Sequence, residues 1–291
     1  MAKIHQLNGT SYVIEFVEDK YIQGWSIKEE LFSKKSEFQQ VDIVKTKMLG
    51  NMLLNDNLVM TSEKDEFVYH EMISHVPLFT HPKPTQVLII GGGDGGTARE
   101  VLRHNSVEKC VMVEIDNVVV EACRQHLPVT ACELDNQRLE LHIEDGVKFV
   151  AETKRKFDVI LVDSTDPIGP GAPLFGDDFY CNVKKCLKPQ GVVVSQAECG
   201  WGEPKNQQSL LGILSRQFKN VGIYNYSNIT YPGGLWSFSW ASDTLHPLKD
   251  YNEQKFLNAN LAMKYYNSKI HKAAFALPQF YYNFLGDYIN L

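Results

Sequence analysis

The sequence predicts an α/β protein in which a small amino-terminal β-domain precedes a doubly wound parallel sheet. Two observations carry this prediction. After residue 85, strand-like and helix-like segments alternate repeatedly, which is the pattern of βαβ units. The first strand of that series also runs into a glycine-rich turn, "IIGGGDGGTARE", at the end of the strand where such sheets bind ligands.

Residues 1 to about 64 are expected to form β-structure. "SYVIEFV" and "QVDIVKTKM" contain β-branched residues, and "MLLNDNLVMT" places Asn55-Asp56-Asn57 as a turn between two apolar arms. From Asp65 the apolar residues of "DEFVYHEMISHVPLF" recur at helical spacing, and the prolines of "THPKPT" end that helix. We therefore divide the chain into a β-domain, residues 1–64, and a Rossmann-like domain, residues 65–291.

The larger domain is expected to contain five strand–helix pairs. In order they are "TQVLII" and "GTAREVLRH", "CVMVEI" and "NVVVEACRQH", "LELHI" and "GVKFVAET", "FDVILV" and "DDFYCNVKKCL", and "GVVVSQA" and "KNQQSLLGILSRQF". "NVGIYNYSNI" and "LWSFSWAS", joined by "TYPGG", are predicted to be an antiparallel pair. The carboxyl ends of the parallel strands are the expected ligand edge.

Composition excludes several classes of function. The chain has 291 residues, 44% of them hydrophobic, and a net charge of −6, which argues against a nucleic-acid partner. No apolar run reaches the roughly 18 residues of a membrane span, and no signal peptide is evident, so we expect a cytoplasmic protein without a membrane partner. The six cysteines form no C-x-x-C pair. The histidines of "HEMISH" are five residues apart and therefore miss the i, i+4 spacing of a zinc helix, so we expect no metal.

The glycine-rich turn matches a nucleotide-binding motif. Gly91, Gly93 and Gly96 satisfy G-x-G-x-x-G between a strand and a helix. Glu114 and Asp116 follow the next strand, at the distance where a carboxylate binds ribose hydroxyls. The alternative, that strand-end acids simply face water, is disfavoured for Glu114 and remains open for Asp116.

Asp94, within the glycine turn, selects between ligands. A carboxylate there would repel the pyrophosphate of a dinucleotide by about 4 kcal/mol at roughly 4 Å and an effective dielectric constant near 20. A nucleoside carrying a positive charge, such as a sulfonium of the S-adenosylmethionine type, would be attracted instead. Asp145 and Gly146 end the third strand, where an adenine amino group can be bound. Asp145 is equally expected as a helix N-cap, and the two roles are compatible.

The fourth strand ends in an acidic loop, "VDSTDPIGPGAPLFGDDF". Its prolines and glycines predict a lid that is neither helix nor ladder strand. Asp177 and Asp178 fit a helix cap, whereas Asp163 and Asp166 lie nearer the glycine turn. Clustered carboxylates without histidine or cysteine in register favour an organic polycation over a metal.

The sequence resembles the spermidine synthase (polyamine aminopropyltransferase) family. The resemblance covers essentially the whole chain and rests on "IGGGDGGTARE", "VEID", "DG" at 145, "DSTDPIGP", "LFGDDFY" and "TYPGG" in the same order. It implies a β-domain followed by a methyltransferase-type Rossmann-like catalytic domain, assembled as a homodimer or homotetramer. It also implies transfer of the aminopropyl group of decarboxylated S-adenosylmethionine to putrescine, giving spermidine and 5′-methylthioadenosine. No cofactor is implied, because the donor is a co-substrate.

The resemblance also assigns roles to individual residues. Asp163 matches the proton acceptor, Tyr69 and Tyr231 lie beside the attacking nitrogen, and Asp94 takes the amino group of the aminopropyl arm. His70, Asp163 and Asp166 line the polyamine channel. The remaining assigned substrate-binding residues are Gln39, Glu114, Asp145, Gly146, Ser164, Thr165 and Pro170, with Leu174 beside the adenine. From the residues alone, the two tyrosines are core aromatics, and Trp25 is as readily a core residue as a contact for the diamine.

Two alternatives stay open. A putrescine N-methyltransferase would use intact S-adenosylmethionine on a related fold, and a polyamine or nucleoside sensor would bind without catalysis. Asp94 argues against the first, and the set of Asp163, Tyr69 and Tyr231 argues against the second. The sequence does not distinguish putrescine from cadaverine, agmatine or spermidine as the acceptor.

Overall fold

The computed structural model describes residues 2–17, 20–165 and 169–291, which form two sheets. The first is a six-stranded antiparallel sheet in which neighbours in sequence are neighbours in space. Its strands are β1 (Ile4–Leu7), β2 (Thr10–Val17), β3 (Tyr21–Lys35), β4 (Gln40–Thr46), β5 (Asn51–Asn55) and β6 (Leu58–Ser62). The predicted turn joins β5 to β6, and Asp56 and Asn57 both have positive φ, as a two-residue type I′ turn requires.

The second sheet has seven strands in the order β12-β13-β11-β10-β7-β8-β9. They are β7 (Gln86–Gly91), β8 (Lys109–Glu114), β9 (Leu139–Ile143), β10 (Phe157–Asp163), β11 (Leu187–Cys199), β12 (Asn220–Ser227) and β13 (Leu235–Ser242). The strands β7 to β11 pair in parallel, and the predicted pair β12 and β13 is antiparallel. The strand order reverses between β7 and β10, which makes their carboxyl ends the expected site of a ligand.

Helices cover both faces of this second sheet. They are α1 (Glu66–Thr80), α2 (Gly96–Leu102), α3 (Asn117–His126), α4 (Pro128–Ala131), α5 (Gly146–Glu152), α6 (Asp177–Cys186), α7 (Pro204–Gln217), α8 (Glu253–Ala259), α9 (Ser268–Ala274) and α10 (Gln279–Leu285). In β7, Val87 and Ile89 join the core on one face, and Leu88 and Ile90 join the core on the other. Burial on both faces explains why the strand is an unbroken apolar run.

The acidic loop differs from its prediction. Gly169–Phe175 is a 3-10 helix, although the sequence predicted a stretch that could not be helical. A 3-10 turn uses i→i+3 hydrogen bonds in short pieces, so Pro173 and the flanking glycines do not prevent it. Asp166 lies outside the described residues.

Some elements were not anticipated individually. The long strand β3 and the three short helices α8, α9 and α10 near the carboxyl terminus were not predicted. Within the described ranges, the structure contains no helix of the length and apolarity needed to cross a membrane.

Candidate active site

A cavity of about 590 Å³ lies between the two sheets, at the carboxyl ends of β7, β8 and β10. The glycine turn, residues 91–94, forms its floor, and Met60 belongs to its wall from the first sheet. The sequence-assigned residues that line it are Gln39, Tyr69, His70, Asp94, Glu114, Asp145, Gly146, Asp163, Ser164, Thr165, Leu174 and Tyr231. The structure thus brings together assigned residues from distant parts of the chain.

The glycine turn and the acidic strand end are built against each other. Gly91 pairs with Asp163 in the sheet, and the backbone N–H of Gly92 donates to the Asp163 carbonyl at 2.9 Å. Gly91 has φ of +84°, and a Cβ at that position would overlap the same carbonyl oxygen. Only glycine fits there, because any side chain would push the loop away from Asp163.

Asp163 is held by two hydroxyl groups. Tyr69 donates to Oδ1 at 2.7 Å, and Thr97 donates to Oδ2 at 2.6 Å. Burial, reinforced by the charge of Asp94, raises the pKa of Asp163 above its ordinary value. Burial and the Asp163 carboxylate raise the pKa of Tyr69 as well, so the phenol stays protonated and donates. The result is an oriented carboxylate with increased basicity.

Tyr231 has two environments. Its hydroxyl donates to the Met60 carbonyl at 2.7 Å, and its ring meets the Tyr69 ring edge-on at 5.9 Å between centroids. The core interpretation of the two tyrosines is therefore incomplete, since both rings pack in the core cluster and both line the cavity. Trp25 packs against the core of the first sheet and is not among the residues of the cavity wall.

Asp94 and His70 face each other in the cavity. The N–H of Gly96 donates to Asp94 Oδ1 at 2.6 Å, and His70 Nε2 lies 3.4 Å from the same oxygen. On its other side, His70 Nδ1 lies 2.6 Å from the buried carboxylate of Glu66, which Arg99 also binds. Glu66 and Arg99 were not predicted as site residues, because their contact depends on the packing of α1 on α2.

Glu114 and Asp116, at the end of β8, lie in different environments. Glu114 lines the cavity, and burial raises its pKa to about 7. Asp116 is not part of the cavity wall; its carboxylate caps α3 through Val118 N and accepts hydrogen bonds from Ser36 and Gln39. The alternative that these acids simply face water does not hold, because both side chains are buried. Asp116 holds Gln39 instead of lining this cavity.

Asp145, which follows the third strand, is the N-cap that was expected and also lies in the cavity wall. Its carboxylate accepts from Val147 N at 2.8 Å as the N-cap of α5, and the residue lines the cavity. A Cβ on Gly146 would lie 2.6 Å from Ile90 Cγ2, so the helix start packs closely on β7. The side chain of Pro170 lies outside the part that the structure describes. Asp177 and Asp178 form the first turn of α6, whose N-cap is Gly176.

Two further residues of the wall were not found from the sequence. Gln196, in β11, and Trp236, in β13, both line the cavity. Gln196 follows Ser195, the parallel partner of Val162, so it reaches the same edge of the sheet as Asp163. His75 of "HEMISH" points elsewhere and pairs with His104 and Glu100. Across the described residues, no three His, Cys, Asp or Glu side chains form a group that could hold a metal ion.

Comparison with known families gives two matches along the chain. Residues 66–253 match the model of the spermine/spermidine synthase domain, and residues 14–63 match the model of the spermidine synthase tetramerisation domain. The polyamine aminopropyltransferase of Bacillus cereus is 46% identical over 264 residues, which cover 91% of this chain and 94% of that protein. That of Methanocaldococcus jannaschii is 46% identical over 262 residues, 87% of this chain and 88% of that protein.

Solved structures show the same similarity. A spermidine synthase in complex with the transition state analogue AdoDATO superposes with a TM-score of 0.93 at 39% identity, covering 98% of this chain and 97% of that one. Spermidine synthase from Thermotoga maritima superposes with a TM-score of 0.89 at 38% identity, covering 94% of each chain. The predicted α/β fold with its amino-terminal β-sheet is thereby confirmed.

Proposed function

Because this chain belongs to the spermidine synthase family and is a polyamine aminopropyltransferase, we propose that its donor is decarboxylated S-adenosylmethionine and its acceptor is putrescine. The products are then spermidine and 5′-methylthioadenosine. The observation that carries this proposal is the pair of carboxylates, Asp94 and Asp163, that line one cavity beside a glycine turn. Two anions in a nucleoside-type site match a donor and an acceptor that are both cationic.

The donor occupies the side of the cavity next to β8 and β9. Glu114 binds the ribose hydroxyls, and Gln39, oriented by its 3.1 Å hydrogen bond to Asp116, binds the same nucleoside from the first sheet. Asp145, Gly146 and Leu174 of the cavity wall contact the adenine, and the resemblance adds Pro170 to them. Asp94 pairs with the ammonium at the end of the aminopropyl arm, whose other end is attached to the sulfonium.

The acceptor reacts as a free amine held in line with the carbon to be attacked. An alkylammonium resembles lysine, with a pKa near 10.4, so deprotonation at pH 7 costs about 4 to 5 kcal/mol. Asp163, whose pKa is raised by burial and by Asp94, accepts that proton and so frees the nitrogen lone pair for the attack. The nitrogen–carbon bond forms while the carbon–sulfur bond breaks, and the sulfonium leaves as the neutral thioether of methylthioadenosine.

The tyrosines and the acidic strip complete the acceptor side. Tyr69 keeps Asp163 oriented by its 2.7 Å hydrogen bond, and Tyr231 packs against Tyr69 beside the attacking nitrogen. Ser164 and Thr165 continue the cavity wall beyond Asp163. By the resemblance, Asp166 binds the far ammonium, which must stay charged as an anchor. We propose that neither a metal nor a cofactor takes part. We further propose a cytoplasmic homodimer or homotetramer, since residues 14–63 match a tetramerisation domain.

A panel of incubations tests the proposal. The protein is mixed with decarboxylated or intact S-adenosylmethionine and with putrescine, cadaverine, agmatine or spermidine, each with and without a chelator, and products are identified by mass. We expect spermidine and methylthioadenosine from the decarboxylated donor and putrescine, at the same rate with chelator. A methylated amine from the intact donor would instead identify an N-methyltransferase. Loss of activity with chelator, restored by a divalent ion, would contradict the metal-free mechanism.

A further inference from the structure

The imidazole of His70 lies between two carboxylates. Nδ1 is 2.6 Å from Glu66 Oε2, and Nε2 is 3.4 Å from Asp94 Oδ1. An ionised carboxylate accepts hydrogen bonds and has none to donate, so each ring nitrogen must carry a proton to satisfy its neighbour. Both requirements are met only by the doubly protonated imidazolium ion.

The carboxylate of Glu66 is held in place by Arg99. Arg99 Nη2 binds Glu66 Oε2 at 2.7 Å, and Nη1 binds Oε1 at 3.1 Å, a two-point contact of the kind that orients a carboxylate. The side chains of Glu66 and His70 are 1% and 2% exposed, so this chain of charges is nearly free of solvent. A Cβ on Gly96 would overlap the His70 ring, which means the third glycine of the motif leaves room for this imidazole.

We propose that Glu66 and Arg99 are positioning residues that hold His70 as a fixed cation, and that His70 in turn holds Asp94 for the aminopropyl arm of the donor. Gly96 N and His70 Nε2 both approach Asp94 Oδ1, which leaves Oδ2 as the oxygen for the donor's ammonium. This assignment rests on the proposed function. It differs from the role that the resemblance gives His70, which is contact with the polyamine.

The charges around His70 support the assignment. Burial alone lowers the pKa of His70, but Asp94 in the glycine turn and Glu66 on α1 more than offset it and raise the pKa to about 10. Burial also raises the pKa of Glu66, and the opposing effect of His70 and Arg99 brings it to about 2. Asp163, on β10, is a further carboxylate that interacts with the imidazolium. The ring therefore keeps its charge across the neutral range.

Glu66→Gln isolates the orienting effect. The amide carries no charge, so the carboxylate that raises the pKa of His70 from the Nδ1 side is gone, and the ring loses its second proton at a lower pH than in the wild type. The variant then loses one charge of each sign, and the net charge near Asp94 is unchanged. Glu71→Gln is the matched control, because Glu71 is equally buried on the same helix but accepts the backbone N–H groups of Lys264, Tyr265 and Tyr266.

Three measurements test the proposal. By proton NMR, with His70→Gln used to assign the resonance, His70 should not titrate between pH 6 and 8.5 in the wild type or Glu71→Gln, and should titrate within that window in Glu66→Gln. By calorimetry at pH 8, Glu66→Gln should bind decarboxylated S-adenosylmethionine about tenfold more weakly, which is the effect of one charge-assisted hydrogen bond. Binding of methylthioadenosine, which lacks the arm, and the KM for putrescine should stay within twofold.

Each failure has a distinct meaning. A wild type that neither binds nor consumes the donor overturns the proposed function. A wild type that does both, with Glu66→Gln unchanged in donor affinity, overturns only the positioning role. A raised KM for putrescine in Glu66→Gln would show that His70 contacts the polyamine, which contradicts the positioning role. If Glu66→Gln does not fold, Glu66→Asp retains the charge opposite Arg99; it should keep His70 protonated and weaken the donor about threefold, and an unchanged donor affinity there would refute the proposal.

Discussion

At the scale of single residues, Asp163 combines orientation with basicity. The hydroxyls of Tyr69 and Thr97 fix its two oxygens, and burial raises its pKa. Asp163→Asn should lower kcat by roughly 100-fold, the usual effect of losing a general base, while methylthioadenosine affinity stays within twofold. The residual rate should rise with pH as free amine becomes available.

The control for Asp163 is at the opposite end of the same strand. Asp158 accepts from the N–H groups of Thr85 and Gln86 and pairs with Lys188, so Asp158→Asn should reduce stability without changing kcat.

In the wild type, kcat/KM should fall as pH decreases through the raised pKa of Asp163. Turnover of Asp163→Asn equal to wild type at pH 7 would remove Asp163 from the role of base.

Asp94 is expected to select the donor by its charge. Decarboxylation leaves an arm that ends in an ammonium with no carboxylate beside it, whereas intact S-adenosylmethionine brings a carboxylate toward the same aspartate. Specificity of this kind repels the wrong ligand as well as attracting the right one. Asp94→Asn should therefore weaken the decarboxylated donor by at least tenfold and leave the intact one unchanged or tighter, as measured by calorimetry. Equal weakening of both would mean that Asp94 only shapes the loop.

The ionised form of Glu114 is expected to lower the free energy of unfolding while it binds the ligand. Burial raises its folded pKa to about 7 from an ordinary 4.5, so the folded state holds the proton more tightly than the unfolded chain. The associated stabilisation is complete below pH 4.5 and is lost as the pH rises through about 7. Glu114→Gln cannot ionise and should be about 3 kcal/mol more stable than wild type at pH 8 in urea unfolding.

The same variant supplies its own controls. At pH 4.5 the stability advantage of Glu114→Gln over wild type should largely vanish, because both side chains are then neutral in the folded state. Its affinity for methylthioadenosine should fall, since the ribose loses an ionised partner. A stability difference that does not change with pH would show that Glu114 is not destabilising through its charge.

At the scale of elements, the glycine turn is tied to β10 by geometry. Gly91 and Gly9 both have positive φ, +84° and +74°, but a Cβ on Gly91 would overlap the Asp163 carbonyl, whereas one on Gly9 would meet nothing within 4 Å. Gly9→Ala should therefore cost about 1 kcal/mol of unfolding free energy, from backbone strain alone. Gly91→Ala should cost at least 3 kcal/mol and reduce kcat, because Asp163 is displaced. Equal losses for both would show that the loop relaxes freely.

Elements with strong local patterns were predictable from sequence. The apolar run of β7 followed by glycines, the Asn55–Asn57 turn and the helix from Asp65 each carry a signal within a few residues. β3 was missed because its residues "KEELFSKK" lack clean alternation, and much of the strand is exposed or half-buried. The helices α8, α9 and α10 have seven residues each and begin without a long periodic pattern.

Contacts between distant elements were less predictable. The strand-end rule found Glu114, Asp145 and Asp163, since parallel strands bring their carboxyl ends to one edge. It gave no information about Glu66 and Arg99, whose pairing requires α1 to pack on α2. The resemblance, and not the pattern, identified the tyrosines, because an aromatic in a helix looks the same whether it packs in a core or lines a cavity.

At the scale of the whole molecule, the site depends on both sheets. Ser36 and Gln39, at the β3–β4 turn, bind Asp116 at the start of α3, and Tyr231 binds the Met60 carbonyl of β6. Asp65 adds a further tie by accepting the N–H groups of residues 229 and 230 at 2.9 and 3.0 Å. The amino-terminal sheet therefore closes the cavity, and its residues 14–63 are also the part of the chain that matches a tetramerisation domain.

The amino-terminal sheet also presents an apolar pair suited to self-association. Phe16 on β2 lies directly opposite Ile22 on β3, and the two side chains are 55% and 58% exposed. Directly opposed residues share one face of a sheet, and in a two-fold contact each pair is buried twice. Phe16→Thr with Ile22→Thr keeps β-propensity but removes this surface, so sedimentation should show a smaller assembly than wild type at equal concentration. The paired change Leu248→Thr with Leu257→Thr, at exposed apolar positions near the carboxyl terminus, should leave the mass unchanged. An unaltered mass for the first variant and a reduced mass for the second would show that the subunit interface lies on the larger domain.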